Sequence, residues 1–135
     1  LIGGINNSIY PEKRMLSSMT PTIIEKNNEL FMILGSPGGP SIITSILQTI
    51  LNVTMFNMSI RDAVNKSRFH HLWLPDKIFY ESNAFSNKII DSLKNDGYVF
   101  NNKSSSIGRV DAILFKNNKI YTAADPRGDD YAGGK

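Results

Sequence analysis

The sequence contains no cysteine, which excludes disulfides, thiolate metal sites and a cysteine nucleophile within its 135 residues. It also has no run of about 18 apolar residues, the length a transmembrane helix requires. A charged and then apolar leader, typical of a secretory signal peptide, is not visible at Leu1. These absences leave a cysteine-independent globular chain.

The composition is that of one folded domain with a real core. Hydrophobic residues make up 41% of the chain, including seven Phe and five Tyr, which is too apolar for a disordered segment. The net charge is +3, and the 15 Lys and Arg are scattered without a dense basic run. Because nucleic-acid sites cluster their positive charge, we expect no nucleic-acid partner.

Two hairpins and two short strands are predicted from the apolar runs and the turn residues between them. The first hairpin spans residues 21–25 and 30–34, and the second spans 110–115 and 120–124. The run 30–34 is continuously apolar, which predicts a strand buried on both faces. Short strands are predicted at 77–81 and 98–100.

Three helices are predicted between these strands. In the first, the i, i+4 spacing of isoleucines and leucines predicts one broad apolar face, with Thr44, Ser45, Gln48, Thr49 and Asn52 opposite. The apolar set is Ile42, Ile43, Ile46, Leu47, Ile50 and Leu51. Ser59 with Asp62 resembles a capping box for the second helix. Ser86 caps a third helix that stops at Gly97. Strands, then helices, then strands indicate an α+β domain with a mainly antiparallel sheet.

A pair of adjacent glycines separates the second strand from the first helix. Gly38 and Gly39 stand where a helix N-terminus offers unpaired N–H groups, so the turn can bind an anion or form an oxyanion hole. The alternative is a tight turn in which glycine only supplies a positive φ. No Gly-Lys-Ser/Thr follows, so a P-loop is not supported.

Other polar groups allow a site or an ordinary structural role. Ser17 and Ser18 precede the first strand and could hold a ligand carboxylate, or simply bond their own loop. His70 and His71 are adjacent, so an extended backbone sends them to opposite faces, and we predict a structural role and no metal site. Asp125 and Arg127 flank a proline and could pair in a turn, while residues 129–130 read as a solvated turn.

Four blocks follow one another along essentially the whole chain: Gly3-Gly4 with residues 11–24, residues 35–43, residues 68–76, and residues 124–128 with Ala132-Gly133. In this order they resemble the γ-glutamyltransferase (γ-glutamyltranspeptidase) family. The chain resembles the C-terminal, larger part of that family's small subunit. Pro40 departs from the family's usual Ser, and Met15 from its usual Pro.

The resemblance implies an N-terminal-nucleophile hydrolase fold, a four-layered αββα sandwich whose precursor cleaves itself to expose a threonine. In the family, that threonine takes the γ-glutamyl group from glutathione or a related amide and passes it to water, an amino acid or a peptide. By resemblance, Gly38 and Gly39 form the oxyanion hole, and Ser17 and Ser18 bind the substrate's α-carboxylate. No cofactor or metal is implied.

The resemblance also implies that residues 1–135 are a single partial domain. The threonine nucleophile is expected upstream of Leu1, so we predict an active parent enzyme and an inactive isolated chain. Expected partners are the γ-glutamyl substrate, the upstream small-subunit segment and the large subunit, and the isolated chain is expected to self-associate. The family implies a periplasmic or extracellular location, although a cytoplasmic one stays open. Two rivals also stay open: a non-catalytic remnant or binding module without the nucleophile, and a phosphate-binding domain.

Overall fold

The computed structural model describes residues 4–16, 18–101 and 106–133. The strands are β1 (Thr22–Lys26), β2 (Glu29–Gly35), β3 (Phe69–Leu72), β4 (Lys77–Tyr80), β5 (Asp111–Lys116) and β6 (Lys119–Ala123). The helices are α1 (Ile42–Thr54), α2 (Ile60–Asn65) and α3 (Asn87–Asn95), with short 3-10 turns at Ile5–Asn7 and Gly39–Ser41. This mixture confirms the α+β prediction.

The main sheet has four antiparallel strands in the order β1-β2-β5-β6. Both predicted hairpins are present, and each turns on two asparagines with positive φ: Asn27 and Asn28 in the first, Asn117 and Asn118 in the second. Asparagine tolerates this left-handed conformation, and such turns match the right-handed twist of the strands. Local sequence therefore determines both hairpins.

The core lies between one face of this sheet and helices α1 and α2. Met32 and Leu34 of β2, with Ala112 and Leu114 of β5, pack there against Ile46. On the opposite face, the β2 and β5 residues are only half-buried, and Ile23 and Ile120 stay 69% and 65% exposed. The expectation of a strand buried on both faces is therefore wrong for residues 30–34, because among the described residues no second layer covers that face.

The buried face of α1 differs from the predicted one. Ser45 and Thr49 are fully buried, whereas Ile43 is 70% exposed and Leu47 is 51% exposed. The buried stripe is Ile42, Ser45, Ile46, Thr49 and Val53. Ser45 and Thr49 can be buried at low cost because their hydroxyls donate to the carbonyls four residues earlier, at 2.8 and 3.0 Å.

A second, two-stranded sheet of β3 and β4 lies beside α1. Ser59 and Ser86 cap α2 and α3 as predicted, accepting from the amides of Asp62 and Ile89. The predicted strand at 98–100 is not formed. Instead, Phe100 makes one isolated parallel bridge to Ile78, whose N–H donates to the Val99 carbonyl at 2.7 Å and whose carbonyl accepts from the Asn101 N–H at 2.8 Å. No helix among the described residues is long and apolar enough to cross a membrane.

Candidate functional site

The glycine turn, residues 35–41, joins β2 to α1 at the edge of the core. Gly38 has φ +135 and Gly39 has φ +57, conformations that favour glycine. Pro40 lies in the 3-10 turn at the start of the helix, where its missing N–H removes no hydrogen bond. The Ser41 hydroxyl donates to the Gly38 carbonyl at 2.9 Å. The turn therefore needs both glycines for its backbone path, whatever else they do.

The amides of Gly38 and Gly39 are available to a ligand. Both residues are exposed, and no oxygen in the described part of the chain accepts a hydrogen bond from either N–H. They lie at the N-terminal end of the 13-residue helix α1. There the helix dipole contributes roughly half a positive charge. This arrangement can stabilise an anion or a developing oxyanion.

The predicted serine pair lies on a segment attached to the same turn. Ser17 is outside the described residues. Ser18 is exposed, and the next carbonyl, of Met19, accepts from the Ser36 amide at 3.0 Å. Thr20 adopts φ +40, which is unusual for a β-branched residue. The structure thus brings the Ser18 segment against the start of the glycine turn, although they are far apart in sequence.

A buried ion network, which the sequence analysis missed, lies behind the turn. Arg68 and Asp125 are each 1% exposed and form a 2.7 Å ion pair. Arg127 joins Asp125 at 2.9 Å and also pairs with Glu81 through two short hydrogen bonds. The Asp125–Arg127 turn pair was predicted. Arg68 and Glu81 had no local signal, because their partners are distant along the chain.

The network holds both carboxylates ionised. Burial alone would raise the pKa of Asp125, but the Val110 and Arg127 amides and the Arg68 guanidinium lower it below its ordinary value. Burial likewise opposes ionisation of Glu81. Arg127, together with backbone amides that include Ile107, again brings its pKa below the ordinary value. These charges are therefore structural ion pairs in which both carboxylates accept hydrogen bonds, while the buried Nε of Arg68 has no hydrogen-bond partner in the described part of the chain.

The two histidines point to opposite faces, as predicted. His70 is buried with Nδ1 2.8 Å from the Thr44 hydroxyl, while His71 lies 2.8 Å from exposed Asp76. Burial, and to a lesser extent His71, lower the pKa of His70. Asp129 is fully exposed as expected, whereas Asp130 is partly buried beside Arg109, 3.0 Å away. Across 4–16, 18–101 and 106–133, no three His, Cys, Asp or Glu residues are grouped to hold a metal.

Comparison with known proteins identifies the family. The family model for gamma-glutamyltranspeptidase matches residues 3–134. The chain is 38% identical over 130 residues to the glutathione hydrolase proenzyme of Pseudomonas aeruginosa, covering 95% of this chain and 23% of that protein. It is 37% identical over 135 residues to the Escherichia coli glutathione hydrolase proenzyme, covering 99% of this chain and 23% of that protein.

A solved structure gives the same result in three dimensions. The γ-glutamyltranspeptidase of Pseudomonas nitroreducens, complexed with L-DON, superimposes with a TM-score of 0.82 at 38% identity. The match covers all of this chain and 71% of that one. The fold is thus an N-terminal-nucleophile hydrolase fold, here a sheet with its helical layer. The chain belongs to the γ-glutamyltranspeptidase family, and it spans about a quarter of the length of the curated relatives it matches.

Proposed function

We propose that the protein containing this chain cleaves γ-glutamyl amide bonds, as in glutathione, and transfers the γ-glutamyl group to water or to an amino acid or peptide. In this proposal a threonine upstream of Leu1 forms the acyl-enzyme, so the 135-residue chain has no turnover by itself. The upstream small-subunit segment and the large subunit complete the site. Family membership and the two available glycine amides support the assignment.

This chain contributes two anion-binding groups to the active site, one for the oxyanion and one for the substrate's α-carboxylate. When the threonine oxygen attacks the γ-carbonyl, the carbonyl oxygen becomes an oxyanion that the Gly38 and Gly39 amides stabilise. Ser17 and Ser18 bind the α-carboxylate, which keeps its charge throughout the reaction. The observation that carries the proposal is the 3.0 Å bond from Ser36 N–H to the Met19 carbonyl, since it joins the serine segment to the glycine turn.

These two roles predict different kinetic signatures in the full-length protein. With γ-glutamyl p-nitroanilide, Ser18→Ala should mainly raise KM, because carboxylate binding is the same in ground and transition states. Gly38→Ala should mainly lower kcat, by on the order of a hundredfold, since a Cβ there would lie 2.9 Å from Ser41 Oγ and displace the turn.

Ser92→Ala, on the exposed surface of α3, is the matched control and should leave both constants unchanged. A wild-type protein that releases no p-nitroaniline, even with an added dipeptide acceptor, would contradict the proposed function. Turnover by the isolated 135-residue chain would contradict the upstream nucleophile.

A further inference from the structure

Residues 107–110 lie behind the glycine turn, and the proposed chemistry gives this segment no role. Its Gly108 has φ +66 and touches the turn directly, since a Cβ built on Gly38 would lie 3.3 Å from the Gly108 Cα. Two glycines that are 70 positions apart in sequence therefore meet backbone to backbone. We call residues 107–110 the seat of the glycine turn.

The seat has no room for a side chain at Gly108. A Cβ there would lie 2.2 Å from Ser45 Oγ, 2.8 Å from Ser45 Cβ and 3.1 Å from Ser36 Oγ. Both serines are fully buried. Ser45 Oγ donates to the Ser41 carbonyl at 2.8 Å, and Ser36 Oγ donates to the Pro37 carbonyl at 2.7 Å. Any atom added at Gly108 therefore presses on the two ends of the glycine turn.

Hydrogen bonds to buried side chains fix the backbone of the seat on both sides of Gly108, so the seat cannot move away from the turn. The Ile107 N–H donates to Glu81 Oε1 at 2.8 Å, and the Ile107 carbonyl accepts from Arg68 Nη1 at 3.0 Å. The Val110 N–H donates to Asp125 Oδ2 at 2.7 Å. The Arg109 N–H donates to Ser36 Oγ at 3.0 Å, which links the seat to the turn. A displacement at Gly108 is therefore passed to the exposed Gly38 and Gly39.

We propose that Gly108 is a positioning residue that fixes the Gly38 and Gly39 amides where the oxyanion develops, with the buried ion network as its fixed support. The proposal rests on the proposed function for its chemical meaning. It makes the arginine–carboxylate network part of the active-site scaffold, acting through the seat. It also gives Gly108, the fourth positive-φ glycine among the described residues, a reason beyond turn geometry.

The test is a pair of substitutions in the full-length protein. Gly108→Ala should lower kcat for γ-glutamyl p-nitroanilide by about tenfold to a hundredfold, no more than the loss of one oxyanion donor, with KM nearly unchanged. Adding Ser45→Gly removes both Ser45 atoms that the new methyl meets, so the double variant should recover most of kcat. Ser45→Gly alone is the baseline against which this recovery is measured, because it also removes the hydroxyl's hydrogen bonds to the Ser41 and Ile107 carbonyls.

Several outcomes would overturn the proposal: an unchanged kcat in Gly108→Ala, a KM that rises in step with the loss of kcat, or a double variant no better than the single one. If Gly108→Ala does not fold, Ser36→Ala provides the test, because it adds no atom and removes only the hydroxyl that accepts from the Arg109 N–H. Ser36→Ala should lower kcat without raising KM, and unchanged kinetics would refute the proposal. If the wild-type protein is inactive, the proposed function fails separately. The amide NMR shifts of Gly38 and Gly39 must then still move in Gly108→Ala and return in the double variant.

Discussion

Replacement of Asp125 by Asn tests whether the buried network stabilises the fold. Asp125 is 1% exposed, pairs with Arg68 and Arg127 at 2.7 and 2.9 Å, and accepts from the amides of Val110 and Arg127 at 2.7 and 3.0 Å. Asparagine has nearly the same shape, so the change creates no cavity. It removes the charge and turns one acceptor oxygen into a donor that faces other donors.

The expected loss follows from the partner that is left behind. Arg68 is itself 1% exposed, and its remaining hydrogen-bond partners are the neutral carbonyls of Ile107 and Val64. Removing one member of a buried ion pair typically costs about 3–5 kcal/mol. A domain of this size has roughly 5–15 kcal/mol of stability in total. Asp125→Asn should therefore remove a large fraction of the free energy of unfolding.

Urea unfolding of the full-length protein, followed by far-ultraviolet circular dichroism, measures this loss by linear extrapolation. Asp129→Asn is the matched control, because it makes the same chemical change on a side chain that is 100% exposed and 3.8 Å from Arg109. Its unfolding midpoint should equal that of wild type. If Asp125→Asn unfolds at the same urea concentration as Asp129→Asn, the network contributes no net stability and the reasoning is refuted.

Two further predictions concern pH and the face of α1. The network lowers the pKa of both Asp125 and Glu81 in the folded state. Their contribution to the free energy of unfolding is therefore complete above the unfolded-state pKa values near 4, and it is lost as pH falls toward the lower folded-state pKa values. Equilibrium urea unfolding between pH 6 and 3 should show this fall in stability, with a shallower pH dependence in Asp125→Asn. Equal pH dependence in the variant and the wild type would contradict the prediction. Ile46→Ala should lower the free energy of unfolding by about 2–5 kcal/mol, because Ile46 is only 5% exposed. Ile43→Ala should have a small effect in the same urea assay, because Ile43 is 70% exposed. Equal losses of stability in the two variants would show that the buried face of α1 is assigned wrongly.

Local chemistry was sufficient to predict the elements that depend on neighbouring residues. The asparagine pairs define both hairpins, and Ser59 and Ser86 cap their helices. The double glycine marks the strand-to-helix turn. The functional roles of the site residues stay predictions, drawn from the residue pattern and from the resemblance of the sequence to the γ-glutamyltranspeptidase family. The structure adds that the Ser18 segment adjoins the glycine turn.

Tertiary structure decided the features that depend on contacts between distant parts of the chain. Hydrophobicity alone placed Ile43 and Leu47 in the core. The direction in which α1 leaves the glycine turn instead buries Ser45 and Thr49, whose hydroxyls are satisfied within the helix.

The sequence by itself therefore determined both hairpins of the main sheet, the three helices with their serine caps, and the family, because those signals lie in short stretches of chain. It did not predict β3, and the strand that it predicted at 98–100 is not formed. Only the folded molecule brought Gly108 against Gly38 and enclosed Arg68 with Asp125. The physical reason is that close backbone contact and charge burial depend on which distant segments meet, and no local preference encodes that meeting.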